Sequence, residues 1–194
     1  IKPIPLTPPQ QIDHKRLADY LGGHPHREGL HIRDIGIRFG GVQAAQQVSL
    51  HAPAGSITSI IGPNGAGKTT VLNMISGFYT PDSGRIDLDQ PLAGLPAWKT
   101  ARAGIARTYQ TTQLFGEMSV LDNVLVAMQK GRLGFIFSRA TAQQRALALD
   151  LLALVGYRGA VNIPAEDLPH VDRRLVEIAR ALATAPSVLL AATM

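Results

Sequence analysis

An α/β fold is predicted by three features of this 194-residue sequence. Apolar residues alternate at Ile32, Ile35 and Ile37 and again at Val48 and Leu50. A β-branched run over 57–61 ends in a glycine-rich turn, and apolar residues recur at helical spacing through much of the second half.

The length and an apolar fraction of 45% suffice to bury one sizeable core but are short for two domains. Residues 1–29 carry Pro3, Pro5, Pro8, Pro9 and Pro25 with few large apolar groups, which predicts a proline-rich linker with at most one short helix over 12–21. The first residue, Ile1, suggests processing or a piece of a longer polypeptide. The longest apolar runs, such as 187–192, fall far short of the roughly 18 residues needed to cross a bilayer, and no secretory leader opens the chain. A chain soluble by itself is therefore predicted. The absence of cysteine excludes disulfides and thiolate metal sites. The net charge of +5 is scattered and forms no basic run, so nucleic acid is not a predicted partner, while an anionic nucleotide or a place beside a membrane face suits it.

The strand over 57–61 reads as buried. After Lys68, Val71, Leu72, Ile75 and Phe78 follow a helical period that Gly77 and Pro81 stop, giving strand, loop and helix in succession. A turn at 81–84 precedes a short strand around Ile86 and Leu88, and a further strand is predicted over 105–109. From 119 to 156 the pattern is helical, with Val120, Val124 and Ala127 in one segment and Leu147, Leu151, Leu154 and Val155 in another. A last helix over 173–184, with Asp172 as its cap, leads to an apolar strand over 188–190. Trp98 and Tyr109 read as packing residues, and His24 and His26 as solvated side chains.

Gly62, Pro63, Asn64, Gly65, Ala66, Gly67, Lys68 and Thr69 spell two glycines five apart, followed by lysine and a hydroxyl residue. Glycines let successive N–H groups converge on phosphate oxygens, and the helix that starts there adds its positive end. Lys68 would neutralise β- and γ-phosphates, the Thr69 hydroxyl would ligate magnesium, and Thr70 adds a further donor. The spacing by itself identifies only a nucleotide-binding class.

The order of Phe39, this loop and Gln110 resembles the ATPases of ATP-binding-cassette (ABC) transporters over about residues 30–194. The wording RFGGVQA at 38–44, RTYQTTQLF at 107–115 and EIARALAT at 177–184 is most similar to the ATPases of branched-chain amino-acid importers. The resemblance implies a phosphate-loop NTPase domain, an α/β fold with an antiparallel β subdomain near the amino end and a helical subdomain at about 115–170. It implies ATP and Mg2+ as cofactors, transporter membrane subunits and a second ATP-binding subunit as partners, and a peripheral position on the cytoplasmic face of the inner membrane. Phe39 would stack on adenine, although a core phenylalanine is the alternative. Gln110 would sit near magnesium and the attacking water, although a polar loop residue is the alternative, and the segment after it would touch a membrane subunit.

The sequence departs from the family pattern at two places. Where a serine and a glycine normally open the signature helix, it has Pro169 and Val171, which offer neither the hydroxyl nor the close backbone approach that clasps a partner's γ-phosphate. His170, Arg173 and Arg174 nearby read as solvated charge. Where an aspartate and then a glutamate should follow the last strand, Ala192 and Thr193 stand, and Met194 ends the sequence before the family's downstream histidine. These departures predict a domain incomplete at its carboxyl end, with an exposed sheet edge prone to aggregation, that binds nucleotide and hydrolyses it negligibly. Three classes of function stay open: an energy-coupling ATPase, a non-catalytic nucleotide-binding or structural remnant of one, and an unrelated phosphate-loop kinase or GTPase, in which Gln110 and EIARALAT would have no role.

Overall fold

A computed structural model describes residues 12–22, 28–109, 113–129 and 140–191. The chain divides into two compact units, Pro25–Ile105 and a discontinuous unit of Ile1–His24 with Ala106–Met194.

In the Pro25–Ile105 unit the alternating residues form β1 (Leu30–Phe39) and β2 (Val42–Ala52), an antiparallel hairpin whose inner face buries Leu30, Ile32, Ile35 and Ile37. The register shifts after Ile32, where Asp34 takes a φ of 52° and its carboxylate accepts a hydrogen bond of 2.9 Å from Ser49. On its other edge β1 pairs with β3 (Ser83–Leu88), which pairs in turn with the two-residue β4 (Gln90–Pro91), giving the sheet order β2-β1-β3-β4. Against this antiparallel sheet lie Val71, Met74 and Ile75 of α2 (Lys68–Ile75), the helix predicted from their period. The short α3 (Ala97–Arg102) closes the unit's sequence. Trp98, expected to pack, is instead exposed, and the Lys99 and Arg102 cations of its own helix stand 5.4 and 5.1 Å from its ring.

The strand predicted over 57–61 does not form. Those residues take no regular secondary structure, and Ile57 and Ile61 are 98% and 92% exposed. A buried parallel strand is held by neighbours on both edges, and no described strand flanks this segment.

The other unit is helical. β5 (Ile105–Arg107) pairs with β6 (Val188–Leu190), and both strands match the apolar runs predicted there. α4 (Val120–Ala127), α5 (Ala142–Leu154) and α6 (His170–Leu182) pack on one another and bury Val120, Val124, Leu151 and Val176 in one core. Ser119 caps α4, and Thr141 with Gln144 forms a capping box on α5. α6 begins three residues before its predicted start. Pro169, with a φ of −56°, stands at the cap position and needs no N–H there, so Asp172 falls inside the first turn, where its charge still favours the positive helix end.

The short amino-terminal helix also forms, as α1 (His14–Leu21), but it is not a bare linker segment. Leu17 enters the helical core, the Tyr20 hydroxyl donates to Ala183 O at 2.6 Å, and Arg16 Nε meets the buried Asp150 carboxylate at 2.6 Å. The rest of the proline-rich stretch before it, and His24 and His26, lie outside the described residues. Among the described residues no helix is long and apolar enough to cross a membrane.

Candidate functional site

The loop that leads into α2 is built by two left-handed glycines. Gly65 and Gly67 have φ of 83° and 78°, and Gly67 is the residue from which the helix starts. A Cβ on Gly67 would lie 2.4 Å from the Ala44 carbonyl oxygen, so the loop rests against the start of β2 so closely that only glycine fits. The Lys68 ammonium turns back across the loop and donates to Gly62 O and Pro63 O, each at 2.7 Å. Ala66 N–H donates to Pro63 O at 3.2 Å and fixes the turn. The result is a tight arch closed on a cation at the mouth of a helix whose first N–H groups have no acceptor within the helix.

These features fit a phosphate group: the backbone curls tightly, the cation is exposed, and the helix contributes its positive end. They fit magnesium only as an ion brought by phosphate. Thr69 supplies one hydroxyl, and among the described residues no group of three histidine, aspartate or glutamate side chains converges to hold a metal. Magnesium keeps waters and phosphate oxygens around one or two protein ligands, so a lone hydroxyl is compatible with that mode.

Phe39 ends β1 in the same unit, next to the hairpin turn that carries Ala44 toward the loop. It is 45% exposed and so is not a core phenylalanine, and its ring meets Tyr79 edge-on with centroids 5.0 Å apart. Sequence reading named neither Ala44, whose backbone does the work, nor Tyr79, whose approach depends on the fold. Gln110, Ala192, Thr193 and Met194 lie outside the described residues.

Val171 projects from the first turn of α6 and is 70% exposed. The two arginines after it are not solvated charge. Arg173 donates through Nε to Leu168 O at 2.9 Å and through its second nitrogen to Glu166 O, while Arg174 bonds Glu177, Thr108 and Tyr109. Carbonyls of the turn before α6 and of the segment after β5 need donors, and the two guanidinium forks supply them.

The family model for the ABC transporter matches residues 45–191, a span holding both the phosphate loop and α6. The branched-chain amino acid transport ATP-binding protein LivG of Escherichia coli is 41% identical over 171 residues, covering 83% of this chain and 67% of LivG. Among solved structures, the ADP conformation of MJ1267, an ATP-binding cassette of an ABC transporter, superposes with a TM-score of 0.71 at 32% identity, over 84% of this chain and 67% of that one. The dimeric post-hydrolysis state of the cassette MJ0796 bound to ADP and Pi gives 0.69 at 25%, over 84% and 72%. The chain spans about two thirds of LivG's length. By the matched span, and by the loop geometry within it, the chain belongs to the ABC transporter family.

Proposed function

We propose that this chain is the ATP-binding subunit of a branched-chain amino-acid importer and that, as it stands, it holds nucleotide without appreciable hydrolysis. The observation that carries the reading is the Lys68-closed phosphate loop set against a sequence with no carboxylate at 192 or 193. Lys68 would exchange its two carbonyl partners for β- and γ-phosphate oxygens, with the loop N–H groups and the helix end sharing the charge. Thr69 would offer its hydroxyl to magnesium, Thr70 would add a donor, and the exposed face of Phe39 would stack on the adenine. Gln110 is assigned to the magnesium side by its resemblance to the family pattern. Magnesium supplies charge neutralisation on the phosphates when bound.

No carboxylate stands at 192 or 193 to orient or deprotonate water, and loss of such a base slows hydrolysis roughly a hundredfold to ten thousandfold. Pro169 and the exposed Val171 remove the hydroxyl and the close backbone approach from the start of α6. They favour the second reading, a nucleotide-binding remnant of such a subunit that no longer drives transport. The names of LivG and MJ0796 support membrane subunits and a second ATP-binding subunit as partners, and hence a peripheral place on the cytoplasmic membrane face.

The test is phosphate release by the chain and by the double variant Ala192→Asp, Thr193→Glu. Release at background from the chain, rising in the variant, is expected. Ordinary enzymatic turnover by the unmodified chain would overturn the hydrolysis deficiency.

A further inference from the structure

α2 carries the phosphate loop at one end and an aromatic side chain just past the other. Gly77, left-handed with a φ of 75°, stops the helix where a Cβ would lie 2.7 Å from the Leu95 carbonyl oxygen. The N–H groups of Phe78 and Tyr79 then turn back and donate to Asn73 O at 2.9 and 3.2 Å. Two further bonds tie the chain to the end of β1: Asp82 N–H donates to Gly36 O at 2.8 Å, and the Asp82 carboxylate accepts the Arg38 N–H at 2.8 Å. The segment 78–82 is therefore fixed on one side to α2 and on the other to the strand residues that lead into Phe39.

Tyr79 stands in that segment, and its ring meets Phe39 edge to face, with centroids 5.0 Å apart and planes at 67°. Phe39 is 45% and Tyr79 38% exposed, so this contact lies at the surface and is no part of the buried core. An aromatic side chain at the end of a strand, open to solvent, would otherwise exchange between rotamers, and an edge-to-face neighbour favours one of them. A ring held before its ligand arrives loses less freedom on binding, which returns as affinity. β1 and β2 pair at Phe39 with Val42 and at Arg38 with Gln43, so Ala44, on which Gly67 rests, follows directly from the same strand end. Phosphate loop and aromatic pair thus belong to one compact unit and meet at the tip of one hairpin.

We propose that Tyr79 is a positioning residue for the nucleobase: it holds the Phe39 ring in the orientation on which adenine stacks, while Asp82 anchors the strand end that carries the ring. The proposal rests on the reading of Phe39 as the adenine platform. Tyr79 acts through Phe39 and not on the base itself, so its effect is confined to ligands that carry a base.

The experiment compares Tyr79→Ala, Tyr79→Leu, Tyr79→Phe, Phe39→Ala and the double variant Tyr79→Ala, Phe39→Ala in the full chain. Calorimetric titrations with ATP and with inorganic triphosphate, which has the phosphates but no base, are run with magnesium beside a thermal melt. Phe39→Ala should weaken ATP binding roughly tenfold, the loss of one base–aromatic stack, and leave triphosphate binding unchanged. Tyr79→Ala should weaken ATP binding by about threefold to tenfold, again without change for triphosphate, and should have no further effect once Phe39 is replaced. Tyr79→Phe keeps the ring and should bind ATP as the unsubstituted chain does. Tyr79→Leu keeps apolar bulk without the edge-to-face contact, should repeat the alanine result, and covers the case in which the alanine variant fails to fold. Unchanged ATP affinity in the folded alanine or leucine variant, or equal losses for ATP and triphosphate, would overturn the positioning role alone. A further loss when Tyr79→Ala is added to Phe39→Ala would overturn it as well, since Tyr79 would then meet the base directly. No effect of Phe39→Ala on ATP, or no binding of either ligand by the unsubstituted chain, would overturn the adenine platform and the positioning role with it.

Discussion

Lys68 donates to the carbonyl oxygen of Gly62 at 2.7 Å, across the full width of the loop that precedes its own helix. With the matching bond to Pro63, the ammonium holds the arch in the shape a phosphate needs. These bonds lie at an exposed surface, so they contribute little to folding, and the ammonium can exchange them for stronger charge-assisted bonds to phosphate. Lys68→Ala should therefore weaken ATP binding by about tenfold to a hundredfold while leaving the melting temperature nearly unchanged. A fluorescent-nucleotide titration beside a thermal melt of the same preparations checks both halves.

The two left-handed glycines should respond unequally to alanine. At Gly65 an added Cβ meets nothing within 4 Å, so Gly65→Ala carries only the left-handed backbone strain of about 1–2 kcal/mol. At Gly67 the same strain is joined by a Cβ 2.4 Å from the Ala44 carbonyl, a backbone atom that cannot swing aside. Gly67→Ala should be the more destabilising of the pair and should also displace the loop from β2, lowering phosphate affinity. Urea unfolding of the two variants, with the titration above, separates them. Equal losses would show that contact with β2 does not shape the loop.

What the sequence made legible was local. The Gly62 to Thr69 spacing names the loop because each residue acts on its immediate neighbours, and α2, α4 and β3 follow from short apolar periods. The segment 57–61 was misread for the complementary reason: β-branched residues favour a strand, but flanking strands must supply the hydrogen bonds. Pro169 could have marked the start of α6, since proline suits a helix's amino-terminal edge. Arg16 and Asp150 meet across 134 residues of sequence, and Glu177 meets Tyr109 across 68, separations at which no periodicity speaks. Glu177 did leave one trace, a charge within the otherwise apolar run over 175–179. Sequence alone showed it only as part of a family wording.

Alkaline pH should weaken the helical unit through Tyr157. Its hydroxyl donates to Ala160 O at 2.8 Å, and burial, reinforced by the charge of Asp172, pushes the phenol up to about 12. Burial raises Tyr20 in the same direction. The folded state thus disfavours the phenolate. The stabilisation is complete below the unfolded tyrosine value of about 10 and is lost as pH climbs through the folded value of about 12. Tyr157→Phe should be less stable at neutral pH for want of the hydrogen bond, yet show a shallower fall in melting temperature across that window. Melts at successive alkaline pH values, with ultraviolet titration of the phenols, measure this. Parallel curves for the two proteins would contradict it.

Ile57 and Ile61 stand almost fully exposed on a β-branched segment without a partner strand among the described residues, an arrangement that invites pairing with another chain. Replacing both with threonine keeps the β-branched shape and removes apolar surface. The doubly substituted chain should self-associate less at a given concentration, with no loss of melting temperature. Light scattering during concentration, followed by sedimentation velocity, reports the difference. A lower melting temperature in the variant would mean that these side chains are buried in the folded molecule.

The proposed function joins an intact phosphate loop to a chain that does not turn nucleotide over. It is tested most directly by titrating magnesium-ATP against the purified chain while recording steady phosphate release from the same samples, beside Lys68→Ala. Saturable binding that the variant loses, with release at background in both, is expected. Release at an ordinary enzymatic rate that disappears with Lys68 would contradict it and would require other groups to do the work of the carboxylates absent at 192 and 193.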